Sequence, residues 1–130
     1  MKRSTVLIVD DESYIREFLA QILSEHFQIA FAKNGKEALE LFKSKKIDII
    51  ITDIIMPEMT GIELYDEVVK IKKEMKFLFT SGYRSGLLSE EMLKKYPFIQ
   101  KPYDFADIIK ILEEISKEIL VERSNNENNS

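Results

Sequence analysis

The stretch IIITDIIMPEMTG, residues 49–61, decides the fold. It opens with an unbroken apolar run, which is typical of a parallel strand that is buried on both faces of its sheet. The run ends on a carboxylate, Asp53, and Pro57 and Gly61 follow shortly after. A carboxylate at the end of a buried strand is costly unless another group compensates its charge. This stretch therefore predicts a central strand and a charged partner at its end.

Apolar patterns on either side of this stretch alternate between the strand and helix periods. Strands are predicted at residues 6–9, 28–32, 47–52, 77–80 and 98–100, and helices at residues 15–23, 38–42, 62–69, 90–95 and 105–119. Strands that alternate with helices in this way indicate a parallel, doubly wound α/β sheet with helices on both faces.

Composition is consistent with one soluble domain. The chain has 130 residues, no cysteine and a formal net charge of -4, so neither a disulfide scaffold nor a basic nucleic-acid or membrane surface is expected. The first apolar run is too short for a signal peptide or a membrane span, and we expect a cytoplasmic protein. Residues 1–121 are predicted to form the domain. The polar, asparagine-rich residues 122–130 are predicted to be a disordered tail or the start of a linker.

Charged and hydroxyl side chains follow four of the five predicted strands. Asp10 and Asp11 follow the first strand, Asp53 ends the third, Thr80–Ser81 end the fourth and Lys101 follows the fifth. Parallel strands end at one edge of their sheet, where ligands of open α/β folds bind. If the first and third strands are neighbours, the three carboxylates meet at that edge.

Three ionised carboxylates need more positive charge than one lysine supplies. A hard dication with oxygen ligands would complete the balance, and carboxylates with water and carbonyl ligands are typical of Mg²⁺. The single histidine, His26, lies late in the first helix and does not indicate a zinc site. Mg²⁺ with a spare carboxylate, a hydroxyl and a lysine is suited to phosphoryl transfer, in which Asp53 is a candidate nucleophile.

Each of these residues has an ordinary structural explanation when it is taken alone. Asp10 and Asp11 could be helix N-terminal charges, Asp53 a turn residue, and Lys101 a solvated surface lysine. Together, these explanations require a coincidence at several strand ends, so the combination favours a site.

Four segments, LIVDDE, TDIIMPEMTG, FTSGY and FIQKPYD, resemble in order and spacing the receiver domain of two-component response regulators. The resemblance covers residues 4–120. It implies a five-stranded flavodoxin-like sheet with strand order 2-1-3-4-5.

The resemblance also implies the role of each site residue. Asp53 would accept a phosphoryl group from the phosphohistidine of a sensor histidine kinase or a histidine phosphotransfer protein. Asp11 would bind Mg²⁺ directly, Asp10 mostly through water, and the backbone carbonyl of Ile55 would be a further ligand. Lys101 would pair with the phosphoryl group, and the peptide bond between Lys101 and the following proline would be cis.

A hydroxyl at the end of the fourth strand and the aromatic Phe98 would form the switch. Ser81 fits the family pattern better than Thr80, because a small residue follows it. The output surface would be formed by the fourth helix, fifth strand and fifth helix, and it would act on an unknown downstream protein or domain. The bulky side chains of Ile55 and Tyr83 are predicted to flank the phosphoryl group and to slow its hydrolysis.

Two other functions are compatible with parts of this pattern. A small Mg²⁺-dependent phosphatase with an aspartyl-phosphate intermediate would use similar chemistry, but it usually carries a cap domain. A flavin-binding domain would need a phosphate-binding loop after the first strand, where this sequence has acids that repel phosphate.

Overall fold

The computed structural model describes residues 3–82 and 88–129. Its strands are β1 (Thr5–Val9), β2 (Gln28–Ala32), β3 (Ile49–Asp53), β4 (Lys76–Ser81) and β5 (Phe98–Gln100). Its helices are α1 (Ser13–Leu23), α2 (Gly35–Ser44), α3 (Gly61–Ile71), α4 (Glu90–Lys95) and α5 (Phe105–Asn129). The predicted alternation of strands and helices is confirmed, with small shifts at element ends except for α5, which extends ten residues beyond its predicted end.

The five strands form one parallel sheet in the order β2-β1-β3-β4-β5. The implied order 2-1-3-4-5 is therefore confirmed. The central strand β3 pairs with β1 on one side and β4 on the other, and all five of its residues are buried. This position explains why its sequence is continuously apolar from Ile49 to Ile51, before Thr52 and Asp53.

Alternate residues of the strands pack into two separate cores. Val6 and Ile8 of β1 face α1 and α5, together with Leu19 and Leu112. The residue between them, Leu7, belongs to the opposite core, which also contains apolar side chains of α2 and α3. Because successive strand residues point to opposite faces, one short strand serves both helical layers.

Gly61 allows α3 to begin close to the end of β3. A Cβ atom at this position would collide with the backbone carbonyl of Asp53, so a larger residue would displace the strand end. Thr60 caps the helix by accepting a hydrogen bond from the backbone N–H of Glu63 (3.1 Å), and the Glu63 carboxylate accepts one from the N–H of Thr60 (3.2 Å). The turn after β3 is thereby held at a fixed distance from Asp53.

The structure differs from the expectation of disorder beyond residue 121, because α5 continues to Asn129. Two side chains of this extension bind the sheet. The Glu122 carboxylate accepts a hydrogen bond from Lys76 (2.7 Å), and the Arg123 guanidinium donates to Asp48 (2.7 Å). Ion pairs thus continue the inward face of α5 where its apolar residues end. The boundary of the independently folding unit stays a prediction.

Among the described helices, none combines the length and the apolar character that crossing a membrane requires.

Candidate metal and phosphoryl site

The three predicted acids meet at the carboxyl edge of the sheet. Asp10, Asp11 and Asp53 each place one carboxylate oxygen within 4.8 Å of the other two. Asp10 and Asp53 are buried (2% and 7% exposed), whereas Asp11 is exposed. The cluster is therefore open on the Asp11 side and closed on the sheet side.

Asp10 is held by contacts on both sides of its carboxylate. One oxygen accepts a hydrogen bond from the backbone N–H of Glu12 (2.9 Å), and the other accepts one from the Lys101 ammonium (2.8 Å). The backbone N–H of Asp10 donates to Ala32 of the neighbouring strand (3.2 Å). These contacts turn the chain sharply after β1 and bring Asp11 to the rim.

Asp53 has the same kind of partners but a less favourable environment. Its carboxylate accepts hydrogen bonds from the backbone N–H of Ile55 (3.2 Å) and from Lys101 (3.0 Å). Burial raises the pKa of Asp53 above its ordinary value, because the attraction of Lys101 does not compensate for lost hydration and for repulsion by Asp10. The ionised form of Asp53 is consequently less stable in the folded protein than it is in water.

Lys101 is the shared cation of the cluster. Burial alone would lower its pKa, but the hydrogen bonds and charges of Asp10 and Asp53 outweigh burial and raise the pKa above its ordinary value. Its side chain is 16% exposed, and its backbone N–H donates to the carbonyl of Ser81 (2.7 Å). The predicted cis peptide bond between Lys101 and Pro102 is confirmed.

The donor set suits a hard divalent cation. The Lys101 ammonium contacts two of the three carboxylates, those of Asp10 and Asp53, and among the described residues no cation contacts Asp11. All the protein ligands are oxygens, which Mg²⁺ prefers over the nitrogen and sulfur ligands typical of zinc. The residues present therefore fit the predicted Mg²⁺.

The predicted switch residues lie on the neighbouring strands β4 and β5. Ser81 is the last residue of β4 and is fully buried (0% exposed), whereas Thr80 lies one step earlier, paired with Asp53 in the sheet. Phe98 begins β5 and is partly buried against the core. Ile55 is 46% exposed next to Asp53, and Tyr83 falls outside the described residues.

Sequence reasoning missed two further groups near the acids. The Arg16 guanidinium donates to the backbone carbonyl of Asp10 (2.7 Å), a contact that no helical spacing indicates because Asp10 precedes α1. The hydroxyl of Tyr103 is buried near the same charges, and no sequence pattern singled it out. His26 is exposed on the surface and lies away from the cluster, as expected.

Comparison with known proteins identifies the family. The model of the response regulator receiver domain matches residues 6–113. The chain belongs to this family. The receiver shares 36% identity over 116 residues with the chemotaxis protein CheY of Thermotoga maritima, covering 86% of this chain and 97% of that protein. It is also 32% identical over 117 residues to the sensor kinase CckA of Brucella abortus, covering 86% of this chain but 12% of that kinase.

Solved structures agree with this assignment. A CheY-like receiver domain from Methanospirillum hungatei superposes with a TM-score of 0.85 at 28% identity, covering 93% of this receiver and 99% of that chain. The response regulator TrrA of Thermotoga maritima, solved with Mg²⁺ and BeF, gives a TM-score of 0.76 at 33% identity, covering 86% and 98% of the two chains. The receiver is thus a phosphoacceptor of two-component signalling, and the comparisons do not favour the phosphatase alternative.

Proposed function

We propose that Asp53 is the phosphoacceptor and that Asp10, Asp11, Asp53 and the backbone carbonyl of Ile55 hold one Mg²⁺. The observation that supports this most strongly is the convergence of three carboxylate oxygens within 4.8 Å around a single lysine. Such an excess of negative charge is tolerable when a divalent cation joins the cluster, and the TrrA relative was solved with Mg²⁺.

Transfer proceeds by attack of the Asp53 carboxylate on the phosphorus of a phosphohistidine. The new O–P bond forms as the N–P bond breaks, and the released imidazole nitrogen regains its electron pair. Bound Mg²⁺ supplies positive charge to the phosphoryl oxygens during this step. Lys101, already 3.0 Å from an Asp53 oxygen, supplies the second positive charge from the protein side. Burial of Asp53 on the sheet side leaves the open rim as the direction of approach.

The switch then depends on Ser81 and Phe98. A phosphoryl group adds about two negative charges and three acceptor oxygens, which is enough to draw in a nearby hydroxyl. Ser81 suits this role better than Thr80, because it ends β4 at the edge of the sheet. Phe98 pairs with Phe79 in the adjacent strand, so movement at the end of β4 is passed to β5 and to the surface formed by α4, β5 and α5.

The partners and location follow from this role. The donor is a sensor histidine kinase or a histidine phosphotransfer protein, and the output is a downstream protein or domain that reads the α4, β5 and α5 surface. The net charge of -4 favours neither nucleic acid nor a membrane as a direct partner, and we expect the chain to act in the cytoplasm. It is a signalling module with self-catalysed phosphotransfer and slow hydrolysis rather than a turnover enzyme.

Acetyl phosphate and Mg²⁺ with intact-mass detection test this function. We expect the wild-type protein to gain the mass of one phosphoryl group and the Asp53→Asn variant to gain none. Phosphorylation of Asp53→Asn to the same extent would contradict the assignment. Assay of the same preparation on phosphomonoesters separates the phosphatase alternative, since the receiver should show negligible turnover.

A further inference from the structure

Tyr103 carries a buried hydroxyl that forms no hydrogen bond with any described residue. It is the single side-chain group of this kind in the described part of the chain. A buried hydroxyl without a partner costs stability, because it has lost the hydrogen bonds of water. A buried polar group of this kind commonly marks a position at which a ligand or an ordered water binds.

The surroundings of this hydroxyl are those of the acidic site. Burial raises the pKa of Tyr103 to about 12, with smaller effects from the charges of Lys101, Asp10, Asp53 and Glu12. Tyr103 follows Lys101 by two residues, and the Lys101 ammonium contacts both Asp10 and Asp53, so the chain brings this buried hydroxyl to the neighbourhood of the cluster. It stays protonated at neutral pH and is available as a hydrogen-bond donor.

Aromatic packing holds the ring in this position. The ring of Tyr103 contacts Phe105 edge to face, with 5.7 Å between centroids, and Phe105 stacks on Phe18 of α1 at 6.0 Å. The side chain also packs against the core formed with α1 and α5. Because the ring is fixed on both sides, its hydroxyl cannot turn to solvent without breaking these contacts.

We propose that Tyr103 is a positioning residue of the metal site, whose hydroxyl donates a hydrogen bond to the water layer between Asp10 and the bound cation. This inference rests on the proposed Mg²⁺ site. Water ordered beside Asp10 in the Mg²⁺-bound protein would give this hydroxyl an acceptor. Water that bridges protein groups satisfies such a donor nearly as well as a direct contact.

The alternative is a simple packing role, in which Phe would serve as well as Tyr. Tyr103→Phe distinguishes the two, and Tyr65→Phe is the matched control. Tyr65 bears a partly buried hydroxyl that bonds the Tyr96 hydroxyl (3.2 Å) in the other core, away from the acids. Both variants remove one oxygen atom from an aromatic ring and change no charge.

Calorimetric titration with MgCl₂ measures the effect. We expect Tyr103→Phe to weaken Mg²⁺ binding about two- to tenfold, as for loss of one hydrogen bond, and Tyr65→Phe to leave the affinity unchanged. In EDTA, urea unfolding of Tyr103→Phe should occur at the same or a higher midpoint than wild type, because no partner is lost. Equal Mg²⁺ affinity of Tyr103→Phe and wild type would overturn this inference alone.

A second measurement needs no variant that might unfold. Tyrosine labelled with ¹³C at the ζ position reports on each hydroxyl by NMR, and the Tyr103 resonance should shift on Mg²⁺ binding while that of Tyr65 should not. An unmoved Tyr103 resonance in a protein that binds Mg²⁺ would overturn the inference. Absence of saturable Mg²⁺ binding by wild type would overturn it together with the proposed metal site.

Discussion

Two buried aspartates lie at opposite ends of β3, and they differ in how the surrounding protein compensates their charge. Asp48 precedes β3 and is 6% exposed, and Asp53 ends β3 and is 7% exposed. The Asp48 carboxylate accepts hydrogen bonds from the backbone N–H of Thr5 (2.8 Å) and from Arg123 (2.7 Å). Among the described residues, Asp53 shares one contacting cation with Asp10, and it also has Asp11 within reach.

The difference separates a structural carboxylate from a functional one. At the amino edge of β3, one negative charge meets one guanidinium, so the group is satisfied by the protein alone. At the carboxyl edge, three carboxylates have one contacting cation among the described residues, so we expect the folded protein to bind an added cation. Burial of a carboxylate therefore does not by itself indicate a site, whereas an uncompensated charge does.

The largest expected effect concerns the satisfied aspartate. Asp48→Ala leaves the Thr5 N–H without its acceptor, and we expect the free energy of unfolding to fall by about 1–3 kcal/mol. Urea denaturation measures this loss, with Asp66→Ala on the exposed surface of α3 as the control that should change little. Mg²⁺-dependent phosphorylation of the folded Asp48→Ala variant should persist. Its loss would contradict a purely structural role for Asp48.

Removal of the Asp53 charge is expected to raise the free energy of unfolding, whereas removal of Asp48 lowers it. Asp53→Asn removes repulsion among acids that lie within 4.8 Å of one another, so the free energy of unfolding in EDTA should rise by about 1 kcal/mol. Denaturation of wild type and variant at neutral pH tests this. A loss of stability in Asp53→Asn would mean that Lys101 already compensates the cluster.

The pH dependence of that difference has a definite direction. The pKa of Asp53 is raised from 3.8, so the folded state holds its proton more tightly than the unfolded state. Stability is therefore lost as pH rises from 3.8 through the raised pKa, and the loss is complete above it. The advantage of Asp53→Asn should be absent in acid below that window and constant above it.

A smaller effect is expected on phosphoryl lifetime at the carboxyl edge. Ile55 is 46% exposed and its backbone N–H donates to the Asp53 carboxylate, so we expect its apolar side chain to hinder the approach of water. Ile55→Asn should speed loss of the phosphoryl group by about threefold, a change of about 0.7 kcal/mol in the barrier. Tyr83→Ala should act in the same direction. Decay measured by intact mass after removal of acetyl phosphate would contradict the steric explanation if it were unchanged or slower.

The sequence predicted the carboxyl edge well because a parallel sheet brings strand ends together. Strand positions placed Asp10, Asp53 and Lys101 at one edge of the sheet, the strand order implied by the family resemblance made them neighbours, and the structure connects them directly. The pairing of Asp48 with Arg123 spans 75 residues, and no period in the sequence relates them. Tyr103 was missed for a similar reason, since the burial of a single hydroxyl depends on aromatic packing between α5 and α1.

The helical extension beyond residue 121 was missed because its composition suggests disorder. Residues 122–130 contain no apolar side chain to bury. The contacts of Glu122 and Arg123 with the sheet are electrostatic and long-range, and helix propensity alone does not reveal them. Composition therefore indicates whether a segment can bury apolar side chains. It does not indicate which distant charged residues its side chains contact.

Titration of the protein with MgCl₂ in a calorimeter at neutral pH tests the central claim most directly. The excess of negative charge at the carboxyl edge predicts saturable binding of one Mg²⁺ per chain. Binding should be lost or strongly weakened in Asp11→Asn and retained in Asp66→Asn, whose carboxylate is exposed on α3. Absence of binding in wild type, or equal binding by Asp11→Asn, would contradict the account.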